Sequence, residues 1–238
     1  MDYNKFIEYT NLKSPNSNTI ENMVKTADIH NYNSICIQPS DLLVANKARK
    51  KCSKNKELKL VTVAGFPPIR SFRLYENETK ELQLYLGYYN SKTIKTIDNI
   101  ISCGLSDELD LVFPIYWFAT GKLAKIKCFL TAVKKRYKKP VKVICELGTI
   151  FNNNTALYEI YSILVDSGVD YFKTNTGLLK QDFDSLVLAI QRLNIMVNDF
   201  GLSKLKLKAS GGVRTEEQVK KLIDIGVDKV GTSSKLNF

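Results

Sequence analysis

The feature that most constrains this chain is a regular alternation of short apolar runs with longer segments of helical period. The apolar runs cover 6–10, 34–37, 58–64, 108–113, 141–146, 170–173, 205–208 and 228–231. Strands this short and this apolar fit a parallel sheet with both faces covered. The segments between them repeat apolar residues every three to four positions, as in Ile20, Met23, Val24 and Ala27, or Ile94, Ile97, Ile100 and Ile101. That spacing predicts helices over 19–30, 40–52, 93–103, 122–137, 154–167 and 183–200. A last helix opens on Thr215-Glu216-Glu217-Gln218, which reads as a capping box, and ends at Gly226. Eight strands alternating with helices close naturally into an α/β fold of the (β/α)8 TIM barrel type, here as a single domain, 1–238. An open doubly wound sheet is the alternative, but no Gly-x-Gly-x-x-Gly follows the first strand. Two irregularities are expected. The stretch 73–90 reads as an insertion after strand three, with 74–89 as an extra helix. Only 232–238 follow strand eight, which leaves a shortened C-terminal helix.

Composition removes several function classes. No apolar run is long enough to span a membrane, and no apolar signal core follows Met1-Asp2-Tyr3-Asn4-Lys5. The five cysteines form no Cys-x-x-Cys pair, which predicts reduced thiols and a cytoplasmic protein. The single histidine, His30, falls at a helix end, so neither a His-rich metal site nor a Ser-His-Asp triad is expected. The net charge of +11 can attract phosphate, but a lysine-rich solvated surface explains it more simply. The basic run 134–139 reads as a helix C-terminus favoured by the dipole, not as a nucleic-acid patch.

Barrel chemistry sits at the C-terminal ends of the strands. The polar residues there are Glu8 and Thr10, then Cys36, Asp110, Glu146, Lys173 and Lys208. Two neighbouring strands end alike. Tyr171-Phe172-Lys173 and Lys206-Leu207-Lys208 each carry a terminal lysine, then small and hydroxyl residues, then glycine. The lysines should face each other, and alternation then turns Lys206 inward one layer lower. A lysine that attacks a carbonyl must be neutral, and lowering its pKa from near 10.4 to about 7 needs roughly 4–5 kcal/mol. Two ammonium groups about 4 Å apart repel by about 4 kcal/mol at an effective dielectric near 20. One neighbouring lysine is therefore an effect of the right size, and desolvation adds to it. The plainer alternative is two strand-end lysines reaching to solvent.

Asp110 lies among Leu109, Leu111, Val112 and Phe113, where a carboxylate needs a partner. It is expected to neutralise the lysines or to orient one of them for proton transfer. Cys36 either lines the site or is a small buried hydrophobe. Glycine-bearing turns follow the last three strands: Thr176-Gly177, Ser210-Gly211-Gly212 and Gly231-Thr232-Ser233-Ser234. Their N–H groups and hydroxyls can hold a phosphate, which barrels often bind after strands seven and eight.

These segments resemble the deoxyribose-phosphate aldolase family. The stretches 108–114 (ELDLVFP), 141–148 (VKVICELG), 171–177 (YFKTNTG) and 206–215 (KLKASGGVRT) match its signature in order. The resemblance implies a TIM barrel in which Lys173 forms a Schiff base, Lys208 tunes it and Asp110 joins a proton relay. It implies substrate binding by Thr10, Cys36 and Thr176, with phosphate near Gly177, Gly211, Gly212, Ser233 and Ser234. The implied reaction is reversible cleavage of 2-deoxy-D-ribose 5-phosphate to glyceraldehyde 3-phosphate and acetaldehyde. No cofactor and no metal are implied. The expected partner is a small phosphorylated sugar, with a homodimer as the assembly to test and neither membrane nor nucleic acid involved. The chain departs from the family at Glu8, often Asp, and at Leu178, a phosphate-contacting lysine in some members that Lys180 could replace. Another Schiff-base aldolase, or a catalytically weak phosphate- or nucleic-acid-binding relative, is the alternative.

Overall fold

The computed structural model describes residues 1–13, 16–52, 54–66 and 91–238. The expected insertion and extra helix after strand three lie outside the described residues. Eight parallel strands close a barrel in chain order. They are β1 (Ile7–Thr10), β2 (Ser34–Ile37), β3 (Lys59–Ala64), β4 (Glu108–Val112), β5 (Val141–Ile144), β6 (Tyr171–Lys173), β7 (Lys206–Ser210) and β8 (Lys229–Thr232). Among the described residues the α-helices are α1 (Ser17–Ile29), α2 (Leu42–Arg49), α3 (Ser91–Cys103), α4 (Ile115–Ala119), α5 (Leu123–Tyr137), α6 (Leu147–Ile150), α7 (Asn154–Asp166), α8 (Phe183–Asp199) and α9 (Glu216–Asp224).

Alternation along the strands divides the barrel into an apolar outside and a polar inside. Ile7, Ile35, Leu60, Leu109, Val143, Phe172, Leu207 and Val230 belong to the main core cluster, with helix residues such as Ile20, Val24, Leu130, Leu164, Ile190 and Leu222. Each such side chain, fully buried, contributes about 1.5–3 kcal/mol, so the fold rests on this outer shell. The alternate positions, Glu8, Glu108, Asp110, Lys142, Lys173, Lys208 and Lys229, are buried charges inside the barrel.

The helix signals act as expected. Thr215 and Gln218 form the capping box of α9, and Asn153 and Asp182 cap α7 and α8. The basic run at the end of α5 is tied down within the chain. Lys134 Nζ donates to Asp170 Oδ2 at 2.6 Å, Lys139 Nζ to the Ser106 carbonyl at 2.6 Å, and Arg136 to Asp98 at 2.7 Å.

Two short helices were not foreseen. The apolar runs read as continuing to Phe113 and Glu146 stop earlier, and α4 and α6 begin there. Pro114 stands at the N-cap of α4, and Glu146 turns the chain into α6 with a left-handed backbone, φ 52°. An apolar run cannot by itself distinguish a strand from a buried helical turn. After β8 the stretch 233–238 is not helical. Tyr32 Oη donates to the Leu236 carbonyl at 2.5 Å and accepts from Leu236 N–H at 3.0 Å, and the Phe238 ring lies 5.4 Å from that of Tyr3. A buried Leu236 therefore packs where the expected short helix would lie.

Candidate active site

Strand register delivers the site. Asp110 pairs with Lys142 across β4 and β5, and Lys173 pairs with Lys208 across β6 and β7. All four side chains point into the barrel. Asp110 Oδ2 accepts from Lys173 Nζ at 2.7 Å and from Lys208 Nζ at 2.5 Å. The two nitrogens therefore lie no farther apart than the sum of those distances. Asp110 Oδ1 accepts from Lys142 Nζ at 2.9 Å. Lys208 also donates to Glu8 Oε1, and Ser34 Oγ donates to Glu8 Oε2 at 3.2 Å. Below them Lys142 meets Glu108 Oε2 at 2.7 Å and Glu8 Oε2 at 3.2 Å, and Lys229 closes the column on Glu108 at 2.7 Å. The result is a continuous stack of ion pairs from the barrel floor to Lys173.

Burial of charges on this scale requires that each be paired. Burial pushes the Asp110 carboxyl up, but Lys142, Lys173 and Lys208 hold it well below the ordinary carboxylate range. Burial likewise opposes ionisation of Glu108, and Lys142 and Lys229 bring it down to about 2. Lys208 is the instructive case. Burial pulls its pKa down, yet Asp110 and Glu8 hold it above the ordinary lysine value. Lys208 therefore stays a fixed cation. The expectation of two amines discharging each other considered too few groups, because Glu8, Glu108 and Lys142 share the space.

Room for Lys208 comes from Gly231 on β8. A Cβ there would lie 3.3 Å from Lys208 Cε and 3.2 Å from Ser210 Cβ. Ser210 and the pinned Lys208 stem must give way, so Gly231→Ala should cost about 1–3 kcal/mol in stability while displacing the amine. If the Lys208 amine has to hold its place beside Lys173, turnover should fall by about tenfold or more. Urea unfolding beside steady-state kinetics separates the two effects.

Above the stack opens a cleft of about 320 Å3. Lys173 is the member of the ion-pair stack that lines it; Lys208 and Asp110 lie beneath. The rim carries Thr10, Thr176, Gly177, Gly211, Gly212 and Ser233, as the sequence suggested. Gly177 and Gly211 adopt φ of 79° and 98°, a left-handed backbone that glycine tolerates. Asn175 holds these turns in place: its Nδ2 donates to the Ser210 carbonyl at 3.2 Å and its Oδ1 accepts from Gly148 N–H at 3.1 Å. Lys13 and Arg214 bring positive charge to the mouth. Sequence reasoning passed over both, since neither falls on a strand end.

Other expectations come out differently. Cys36 does not line the cleft. It is fully buried against Asp110, its Sγ 3.8 Å from Oδ2, and burial with the neighbouring carboxylates raises its thiol pKa. Ser234 is also away from the cleft, its N–H donating to Thr232 Oγ1 at 3.0 Å. Leu178 lines the cleft and Lys180 does not. Lys206 is exposed at the barrel floor with its amine 5.7 Å from the Tyr171 ring centre, so the second buried lysine in β7 does not arise. Among the described residues, Glu8, Cys36 and Asp110 form a group that could hold a metal ion. Both carboxylates already carry lysine ammonium groups, and a protonated thiol is a poor ligand.

No family model matches the chain. Among curated proteins it is 30% identical over 241 residues to deoxyribose-phosphate aldolase of Mycoplasmoides pirum, covering 100% of this chain and 96% of that protein. It is 29% identical over 239 residues to deoxyribose-phosphate aldolase 1 of Vibrio vulnificus, covering 99% and 94%. Among solved structures, an aldolase named QR15 superposes with a TM-score of 0.74 at 24% identity, covering 99% of this chain and 93% of that one. The deoxyribose phosphate aldolase of Aeropyrum pernix, described as a tetramer, gives 0.75 at 22% identity, covering 98% and 87%. The structural likeness carries the barrel alone, but the match to the Mycoplasmoides pirum protein covers the whole of this chain at 30% identity, and on that ground this chain belongs to the deoxyribose-phosphate aldolase family.

Proposed function

We propose that this protein is a class I aldolase that reversibly cleaves 2-deoxy-D-ribose 5-phosphate to glyceraldehyde 3-phosphate and acetaldehyde. The observation that carries the reading is one carboxylate oxygen, Asp110 Oδ2, shared by two lysine amines of which Lys173 alone reaches the cleft.

Lys173 passes its ammonium proton to Asp110 and attacks C1 of the open-chain aldehyde; Asp110 returns that proton as the carbinolamine hydroxyl leaves as water, giving a protonated imine that serves as an electron sink. Asp110, with Lys208 fixed as a cation beside it, takes the C3 hydroxyl proton through a water molecule. The C2–C3 bond then breaks. Its electron pair flows into the imine to give an enamine, and C3 leaves as the aldehyde of glyceraldehyde 3-phosphate. Protonation of the enamine at C2 and hydrolysis release acetaldehyde and regenerate the amine. The turns at Gly177, Gly211, Gly212 and Ser233, with Lys13 and Arg214 at the mouth, receive the phosphate. No step calls for a metal or a cofactor.

Borohydride reduction in the presence of acetaldehyde should fix a two-carbon adduct on Lys173, read by peptide mass spectrometry. Adduct on Lys208 instead, or on neither lysine, would refute the assignment.

A further inference from the structure

Glu146 is a buried acid beside the site that the reaction above does not use. It sits at the top of β5 with φ 52° and ψ 52°, a left-handed backbone that is uncommon outside glycine. That conformation turns its side chain toward the turn after β6. There its Oε2 accepts the Thr176 N–H at 3.1 Å. Leu147 N–H on the Thr174 carbonyl, at 2.8 Å, fastens the same two loops together. Thr176 and Gly177 line the cleft, so Glu146 supports the wall on which an anionic group would rest.

Its surroundings differ from those of Asp110 in one respect. No ion pair is formed by Glu146 among the described residues. Its neighbours in a second cavity, of about 290 Å3, are Val112, Ile115, Phe118, Ile144 and Ile150. From β6 the charged group acting on it is Lys173; the turn offers the N–H and hydroxyl of Thr176; α4 lines the cavity with Ile115, Phe118 and Ala119, and α6 adds Thr149 and Ile150. Cys145 beside it stays a neutral thiol, since burial and Glu146 itself raise its pKa. Burial therefore dominates and pushes Glu146 up to about 7, against the opposing pull of Thr176 and Lys173.

We propose that Glu146 is a positioning residue that regulates anion binding at the Thr176–Gly177 turn: protonated, it leaves the cleft receptive to a phosphate dianion; ionised, it places a negative charge behind that turn and weakens binding. This rests on the reading that the cleft takes a phosphorylated sugar. The sign follows from the direction of the shift. Below about pH 7 the acid is neutral, and the repulsion appears as pH rises through that value.

The test uses inorganic sulfate, whose charge is constant across this range, with calorimetric affinity measured on wild type and on Glu146→Gln. Glutamine keeps an acceptor for the Thr176 N–H and cannot ionise. Wild-type affinity should fall by about tenfold between about pH 6 and pH 8.5 beyond any change in the variant, which is one screened charge interaction. Parallel curves for the two proteins would overturn the proposal. A variant that does not fold leaves a wild-type comparison. There the inhibition constant of sulfate against cleavage of unphosphorylated 2-deoxyribose should rise about tenfold across that range, and a flat inhibition constant would equally overturn the proposal. Because sulfate binding needs no chemistry at Lys173, failure of the borohydride adduct and failure of this pH dependence are separate results.

Discussion

Lys173→Ala is expected to lower kcat/KM for 2-deoxyribose 5-phosphate by at least about 10^4-fold, and to abolish the borohydride adduct, while the protein remains folded. The catalytic loss follows from position. Lys208 is equally close to Asp110 but has no exposed surface, and Glu8 and Asp110 hold its proton. It cannot substitute as the nucleophile. Lys173→Arg should be just as inactive, because a guanidinium keeps the charge and never offers a free amine. The retained fold follows from charge counting. Inside the barrel Lys142, Lys173, Lys208 and Lys229 face Glu8, Glu108 and Asp110, so the cations exceed the carboxylates by one. Removing Lys173 leaves the interior balanced, and Asp110 keeps Lys142 and Lys208. The stability change should stay within about 1 kcal/mol by urea unfolding, much less than the loss of a buried group that strands a charge. A variant that loses activity only because it unfolds would contradict this account.

The same stack shows what was legible in the sequence. The eight strands and the longer helices were, because each is announced by period and by its stop: Pro114 and Pro140, the Thr215 capping box, and the glycines at 168, 201 and 226. The pairing of Lys173 with Lys208 was, because two successive apolar runs each end on a lysine followed by a glycine-bearing turn, and consecutive strands of a barrel are neighbours. The lower stack was not. Lys142 lies between Val141 and Val143, and Lys229 beside Val230, each a charge inside an apolar strand of the kind that made Asp110 conspicuous. The rule applied to Asp110 would have found them, and their partner Glu108 lies two residues before Asp110 on the same face of β4. Cys36 illustrates a different limit. Its place at the end of β2 is right, but depth within a barrel depends on strand stagger, which a linear pattern does not encode. Glu146 was visible as a strand-end acid, whereas its left-handed backbone and the apolar cavity behind it come from tertiary packing.

Asp110→Leu should be the most destabilising single change in the site, by about 3–5 kcal/mol near neutral pH, the usual result of removing one partner from a buried charge cluster. Three amines, those of Lys142, Lys173 and Lys208, meet on its two oxygens, and leucine leaves them facing one another. The interior cations would then exceed the carboxylates by two. The pH dependence carries a sign. The folded-state pKa of Asp110 is held well below that of an unfolded aspartate near 3.9, so its contribution is complete above that value and is lost as pH falls through the folded one. The gap between wild type and variant, followed by urea unfolding, should therefore be widest near neutral pH and narrow in acid. Adding Lys208→Met removes one of the stranded cations and returns the excess to one, with Glu8 still held by Lys142. The double variant should regain about 1–2 kcal/mol over Asp110→Leu alone, a coupling of the size expected for groups in direct contact. Equal stability of the single and double variants would mean that the stack is not held together by its charges, and that the apolar shell outside the barrel alone fixes the positions of Lys173 and its neighbours.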